Sequence, residues 1–128
     1  MLPDRYGHRA RYMTGWYEMD LEMLLSSTAP GFVFDDPAEP EPVTRETLSK
    51  YMQSWACRAA AAGSTGEWLL CDEVRVDRDG MLIDWEQWEL VGTRMRGMAL
   101  VKTTDEGVVL ERITYFHREN DMNPTEPE

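Results

Sequence analysis

The chain has 128 residues, of which 42% are hydrophobic and 29% are charged, as expected for one globular domain. Its formal net charge of −11 argues against binding to nucleic acid or an anionic membrane surface, because both are bound through basic patches. Cys57 and Cys71 form neither a Cys-x-x-Cys motif nor a Cys/His cluster. No metal, cofactor or disulfide is therefore expected, and both cysteines are interpreted as small core residues.

The two ends of the chain are interpreted separately from its middle. Residues 1–10 carry charges where a signal peptide needs an apolar core, and no run is long enough to span a membrane, so a cytoplasmic protein is the default expectation. Residues 119–128 hold four acids, two prolines and no base, which is typical of a flexible acidic tail. We predict one domain over residues 1–118.

The first third of the chain predicts two helices and a strand. Asp4 is typical of an N-cap for a helix beginning near Arg5, and Asp20 is typical of the cap of a second, short helix. At helical spacing, the first helix has two apolar faces: Tyr6, Ala10, Met13 and Tyr17 on one, and Tyr12, Trp16 and Met19 on the other. Residues 26–31 are predicted as a loop, because Pro30-Gly31 breaks regular structure.

A strand is predicted over Phe32-Val33-Phe34-Asp35-Asp36, ended by Pro37. A carboxylate at the mouth of a strand, beside large aromatics, is where an acid–base group with a raised pKa can lie. The alternative is that Asp35 and Asp36 are turn residues on a solvated rim. The six residues alone do not decide between these interpretations.

The proline-rich residues 37–43 form a stiff connection to a helix that Thr44 is predicted to cap, with Glu46 in its first turn. That helix has a buried stripe of Leu48, Tyr51, Met52, Trp55 and Ala59. The apolar period then changes to two, which predicts strands over 67–78, 81–91, 95–104 and 108–117 with turns between them. Helices followed by a meander of antiparallel strands indicate an α+β fold, with the helices on one face of a curved sheet.

The strand over 81–91 is ambiguous because acids and aromatics occupy both of its faces. One face carries Leu82, Asp84, Glu86, Trp88 and Leu90, and the other carries Met81, Ile83, Trp85, Gln87 and Glu89. If the first face points inward, Asp84 and Glu86 are buried in an apolar cavity, which is costly unless they are paired or protonated. Periodicity alone leaves both orientations open.

The order of these elements, with Phe-Val-Phe-Asp-Asp-Pro after two helices and Arg-Ile-Thr-Tyr-Phe in the last strand, resembles the nuclear transport factor 2-like superfamily. This superfamily includes ketosteroid isomerases and SnoaL-like polyketide cyclases, and the resemblance covers nearly the whole chain up to Arg118. It implies a cone-shaped α+β barrel with a hydrophobic pocket. It also implies a homodimer that pairs through the open face of the sheet, where Trp85, Gln87 and Glu89 suit a contact.

The most similar local pattern is that of ketosteroid isomerase. The resemblance implies that Asp36, followed by Pro37, is the general base and that Tyr12 on the first helix donates to the substrate oxyanion. The third group of that family is an Asp that stays protonated because its apolar site raises its pKa. Its position corresponds to the apolar Ala99 here. Only part of that family's oxyanion site is therefore expected.

Other members of the superfamily match less well. The Asp-Arg-Asp set of limonene epoxide hydrolase corresponds to Glu86, Trp88 and Thr114, and the Asp on the last strand of SnoaL-like cyclases also corresponds to Thr114. Scytalone dehydratase needs a histidine pair, whereas this chain has only His8 and His117. The alignment of Glu86 and Trp88 with cavity positions favours the inward orientation of their face.

We therefore predict a cofactor-independent enzyme, of isomerase, cyclase or dehydratase (lyase) type, acting on a hydrophobic or polycyclic ketone. Asp36 and Tyr12 are the predicted base and oxyanion donor, and Asp84 or Glu86 is a second acid or proton relay. The predicted substrate-binding residues are Trp16, Phe34, Trp55, Trp88, Met98, Thr114 and Phe116. The alternative hypothesis is a non-catalytic ligand-binding or dimeric assembly domain of the same fold.

Overall fold

A computed structural model describes residues 4–116 of the chain. Its elements follow one another as α1 (Arg5–Glu18), α2 (Leu21–Ser27), β1 (Thr28–Asp35), β2 (Val43–Thr44), α3 (Leu48–Ala61), β3 (Trp68–Arg78), β4 (Met81–Leu90), β5 (Arg96–Thr104) and β6 (Gly107–Tyr115). His117 and the predicted acidic tail lie outside the described residues. No helix within residues 4–116 is long and apolar enough to cross a membrane.

The six strands form one open sheet in the order β2-β1-β6-β5-β4-β3. Every neighbouring pair is antiparallel except β1 and β6, which run parallel and so bring the first strand beside the last. Helix α1 packs against β4, β5 and β6. The predicted α+β fold, with helices on a curved and mostly antiparallel sheet, is confirmed.

The caps predicted for the first two helices are present. The Asp4 carboxylate accepts a hydrogen bond from the Gly7 N–H at 3.0 Å, and the Asp20 carboxylate accepts one from the Met23 N–H at 3.1 Å. Met19 adopts a left-handed conformation with φ of 52° between the two helices. This conformation ends α1, and α2 begins only two residues later.

The buried face of α1 differs from both predicted stripes. It consists of His8, Arg9, Tyr12 and Gly15, whereas Tyr6 and Tyr17 are 43% and 52% exposed. Gly15 lies directly against Leu24 of α2, where an added Cβ would come within 2.9 Å of the leucine side chain. The face is therefore set by close packing at Gly15 and by the partners of Arg9, neither of which hydropathy records.

Two predicted boundaries are wrong. Residues 28–31 are not a loop but the start of β1, and its register with β6 shifts between Thr28 and Val33, an irregularity in which a proline is tolerated. Helix α3 begins at Leu48 and not after Thr44. Thr44 instead belongs to β2, where it pairs with Val33 of β1, and its N–H donates a hydrogen bond to the Thr47 Oγ1 at 2.9 Å. Glu46 consequently precedes the helix.

The predicted buried stripe of α3 is confirmed, because Leu48, Tyr51, Met52, Trp55 and Ala59 are all buried. The core assignment of the cysteines is wrong, since both are exposed. Cys57 lies on the outward side of α3, and Cys71 lies on β3 at the edge of the sheet, where most side chains face solvent. An apolar neighbourhood in sequence did not imply burial at either position.

Candidate functional site

The orientation of β4 determines which side chains face the interior. Leu82, Asp84 and Leu90 are completely buried and Glu86 is 2% exposed, whereas Trp85 is 37% exposed. The face with both acids therefore points inward. In the sheet register Glu86 pairs with Ala99 of β5, and Ala99 pairs with Ile113 of β6, so these three positions share the inner face.

The same register corrects two predicted binding residues. Because Ile113 and Tyr115 face inward, Thr114 and Phe116 belong to the opposite face, and both are exposed. Successive side chains of a strand point to opposite faces, so a shift of the register by one residue moves every side chain to the other face. Thr114 and Phe116 therefore do not contribute to the interior site.

A cavity of about 500 Å³ lies between the helices and the inner face of the sheet. Its walls include most of the predicted site residues: Tyr12, Trp16, Phe34, Trp55, Glu86, Trp88 and Met98. They also include residues that the sequence did not single out for the site, among them Arg9, Tyr17, Tyr51, Glu67, Trp68, Glu111 and Tyr115. The walls are mainly apolar and rich in aromatic rings, with a small number of charged groups, which is the usual character of a small-molecule site.

Two buried acids of β4, Asp84 and Glu86, are paired with arginine. The Arg9 Nε donates to Asp84 at 3.0 Å, its Nη2 donates to Glu86, and Arg75 Nε donates to Asp84 at 2.6 Å. The Trp88 indole N–H donates to the second oxygen of Glu86 at 2.9 Å. Burial of these carboxylates is therefore compensated by direct pairing, one of the two alternatives expected from the sequence, although the partners Arg9 and Arg75 were not predicted.

The predicted catalytic acids differ in their access to the cavity. Glu86 lines it, whereas Asp84 is held between Arg9 and Arg75 and is not among the described lining residues. A carboxylate with two arginine partners and no open face has a structural function. The geometry does not support the predicted role of Asp84 as an acid or proton relay.

Asp36 is 2% exposed, so the solvated-rim interpretation is wrong for this residue. Its Oδ2 accepts hydrogen bonds from the Tyr51 hydroxyl at 2.6 Å and the Tyr115 hydroxyl at 3.0 Å, and its Oδ1 accepts one from the Ala38 N–H at 2.9 Å. Tyr51 and Tyr115 line the cavity, while Asp36 is not among the described lining residues. The rim interpretation does hold for Asp35, which pairs with the exposed Arg112 at 3.1 Å.

The hydroxyl of Tyr12 points to Glu111 and not to Asp36. It donates to Glu111 Oε1 at 2.5 Å, and no donor within residues 4–116 engages the other oxygen, Oε2. Burial raises the pKa of Glu111 to about 7, against the opposing effects of the Tyr12 hydrogen bond and the Arg9 charge. Burial and the nearby Glu111 carboxylate raise the pKa of Tyr12 well above its ordinary value.

Glu111 is the main functional candidate that the sequence analysis missed. The sequence does contain an indication of Glu111. In the last strand Glu111 alternates with Ile113 and Tyr115, so an acid lies on the same face as two apolar or aromatic residues. Recognising that indication requires knowing which face points inward. Tyr115 was missed for the same reason, and burial together with Asp36 raises its pKa as well.

Within residues 4–116 there is no group of three or more His, Cys, Asp or Glu side chains that could hold a metal ion. The described side chains of the cavity can support proton transfer. A carboxyl group with a pKa near neutrality, beside a phenol and inside an aromatic cavity, is suited to act as a general acid or base.

No protein-family model and no curated protein matches the sequence. Solved structures do match. A proposed ketosteroid isomerase from Kribbella flavida has a TM-score of 0.61 at 14% identity, over 97% of this chain and 81% of that one. A proposed SnoaL-like polyketide cyclase from Shewanella putrefaciens has a TM-score of 0.61 at 12% identity, over 88% and 80% of the two chains.

A protein of the nuclear transport factor 2-like type from Cytophaga hutchinsonii, with unknown function, has a TM-score of 0.60 at 6% identity, over 87% of this chain and 88% of that one. The chain thus has the nuclear transport factor 2-like fold, and the resemblance inferred from sequence is confirmed at the level of the fold. At these identities the similarity does not carry an activity from one protein to another.

Proposed function

We propose that the protein is a cofactor-independent enzyme that moves a proton on a hydrophobic ketone held in the aromatic cavity. Its reaction class would be isomerisation, cyclisation or dehydration, because each of these begins with removal of a proton next to a carbonyl. The observation that carries the proposal is the position of Glu111, a buried carboxyl on the cavity wall with one oxygen bonded to Tyr12. Polar groups of this kind are few in the cavity, and this one is suited to exchange a proton near neutral pH.

In the proposed reaction Glu111 takes the proton through Oε2, and the electron pair of the broken C–H bond moves to the carbonyl oxygen. A neutral carboxylic acid attracts the Tyr12 hydroxyl less strongly than a carboxylate does. That hydroxyl then becomes available to donate to the enolate oxygen. Tyr12 thus keeps the oxyanion role expected from the sequence, with Glu111 replacing Asp36 as its neighbour.

Asp36 has a different proposed role. Its carboxylate fixes the hydroxyls of Tyr51 and Tyr115, which lie on the cavity wall and shape the site. The walls exclude water from the reacting atoms, which strengthens every electrostatic interaction in the site. The sequence-based assignment of Asp36 as the base remains the competing proposal, and one experiment separates the two.

The test is isomerisation of a β,γ-unsaturated cyclic ketone, followed by the ultraviolet absorbance of the conjugated product. We expect Glu111→Gln to lower kcat by about 10²- to 10⁴-fold, the usual contribution of a general acid–base group. Asp36→Asn is the matched comparison, and a smaller loss is expected from it. Loss of activity confined to Asp36→Asn would assign the base to Asp36.

A second candidate function, a non-catalytic ligand-binding or assembly domain, is favoured by the outer face of the sheet. Val74, Trp85 and Leu100 are in register across β3, β4 and β5, and Val74 and Trp85 are 58% and 37% exposed. We propose that this apolar patch is a homodimer contact, next to the predicted residues Gln87 and Glu89. Sedimentation should show a dimer that Trp85→Lys dissociates, and a wild-type monomer would rule the contact out.

A further inference from the structure

Part of the cavity wall that reaches solvent is aromatic and acidic. Tyr17 and Glu67 are exposed lining residues and Trp68 and Trp88 are half-buried ones. The other exposed lining residues are uncharged: Met19, Ala56, Ala60 and Thr65. The rings of Tyr17 and Trp88 meet edge to face, with centroids 6.0 Å apart. We refer to Tyr17, Glu67, Trp68 and Trp88 as the cavity mouth.

The carboxylate of the mouth acts on its tyrosine. After burial, the charge of Glu67 is a cause of the raised pKa of Tyr17, and the Tyr17 ring in turn contacts Trp88. The faces of tyrosine and tryptophan rings attract cations through their quadrupole, and tryptophan attracts them most strongly. A carboxylate beside such rings adds an attraction of the same sign.

The charges of the cavity argue against an anionic ligand. Arg9 is the one basic side chain among the described residues that line it, and Arg9 is buried and already bonded to Asp84 and Glu86. The acids that line the cavity are Glu67, Glu86 and Glu111. An anionic ligand would therefore meet negative charge without a basic side chain free to compensate it.

We propose that the ligand of this cavity has a hydrophobic body that lies inside and a cationic amine group that lies at the cavity mouth. This inference rests on the proposed function, since it specifies the substrate class of the same site. The amine is held by the rings of Tyr17, Trp68 and Trp88 and by the Glu67 carboxylate. The ketone end of the molecule then reaches Glu111 and Tyr12, deeper in the cavity.

The test uses three probes with one naphthyl-alkyl body and different ends: a trimethylammonium group, a neutral tert-butyl group and a carboxylate. Binding to the full chain is measured by isothermal titration calorimetry. The ammonium probe is expected to bind about tenfold more tightly than the tert-butyl probe, within the range of cation–π attraction. The carboxylate probe is expected to bind most weakly.

Variants of Tyr17 and Glu67 identify where the amine lies. Both side chains are exposed, so their replacement should leave folding intact, which circular dichroism checks. Tyr17→Phe keeps the ring and should keep the ammonium preference, whereas Tyr17→Leu should lower it by about threefold or more. Glu67→Gln should lower it by about two- to fivefold and reduce its dependence on salt.

The outcomes separate this inference from the proposed function. If the tert-butyl probe binds as tightly as the ammonium probe, or if Tyr17→Leu and Glu67→Gln both leave the preference unchanged, the cationic mouth is wrong while the hydrophobic cavity stands. If the carboxylate probe binds best, the charge assignment is reversed and the inference fails. If no probe binds, the inference and the proposed ligand-binding cavity both fail.

Discussion

The buried acids on the inner face of the sheet are stabilised in two different ways. Asp84 and Glu86 on β4 are paired directly with Arg9, and Asp84 has Arg75 as a second partner. Glu111 on β6 has the neutral hydroxyl of Tyr12 as its hydrogen-bond donor. An arginine partner compensates the charge of a buried carboxylate and fixes its position. Burial instead raises the pKa of Glu111 to about 7, so this carboxyl group can gain or lose its proton near neutral pH.

The difference separates structural from chemical roles within one sheet. The arginine-paired acids fix α1 on the sheet, because Arg9 belongs to that helix. Burial raises the pKa of Glu111 to about 7, so its ionised form is destabilised in the folded protein. Buried groups with perturbed pKa values are concentrated at functional sites, and this contrast is the physical basis for choosing Glu111 over Asp84.

The largest expected effect comes from removing the shared arginine. Arg9→Met should destabilise the fold by about 3–5 kcal/mol at pH 7, because Asp84 and Glu86 lose a buried cationic partner. Urea denaturation at pH 7 measures the change. Arg75→Ala is the control, since the Arg75 side chain is 44% exposed, and its cost should be about 1 kcal/mol or less. Equal costs for the two variants would contradict the assigned role of Arg9.

Glu111→Gln should change how stability depends on pH. With its pKa raised from 4.5 to about 7, folded Glu111 binds more protons than unfolded Glu111 between those pH values. Wild-type stability should therefore fall as pH rises through this window, by about 3 kcal/mol in total from this group, and the variant should lack that fall.

Denaturation at pH 5, 6, 7 and 8 gives the comparison for Glu111. Glu106→Gln, at the exposed turn between β5 and β6, is the matched control and should follow the wild type. If wild type and Glu111→Gln keep a constant difference over this range, Glu111 is not the titrating group.

Asp36→Asn should have a smaller effect of about 1–2 kcal/mol. The variant keeps the shape of the side chain but loses the charge that strengthens the hydrogen bonds from Tyr51 and Tyr115. Asp35→Asn is the neighbouring control, and its exposed pair with Arg112 predicts less than about 1 kcal/mol. Chemical denaturation of both variants is sufficient, and a reversed order would show that burial does not distinguish these two acids.

The smallest effect is expected from Tyr12→Phe, with a loss of about 1 kcal/mol for one hydrogen bond. Removing a donor that stabilises the carboxylate should raise the pKa of Glu111 further. Nuclear magnetic resonance of ¹³C-labelled glutamate carboxyls follows this titration. Tyr6→Phe, which removes an exposed hydroxyl bonded to Asp77, should leave the Glu111 titration where it is in the wild type.

The sequence by itself determined the features that depend on neighbouring residues. The caps at Asp4 and Asp20, the buried stripe of α3 and the long strands follow from spacing and local hydrogen bonding. Seven of the residues predicted for the site also line the cavity, from Tyr12 on α1 to Met98 on β5. The boundary of α3 was missed because Thr44 pairs with β1 across the sheet, an interaction that no local pattern encodes.

Only the tertiary structure decided how the acids are used. Arg9 meets Asp84 across 75 residues of chain, and Tyr12 meets Glu111 across 99. Alternation along β6 offered two faces, and the register with β5 selected Glu111 and Tyr115 over Thr114 for the interior. Charge pairing and burial are set by which distant segments pack together, so the ionisation of a carboxyl group is a property of the fold and not of its local sequence.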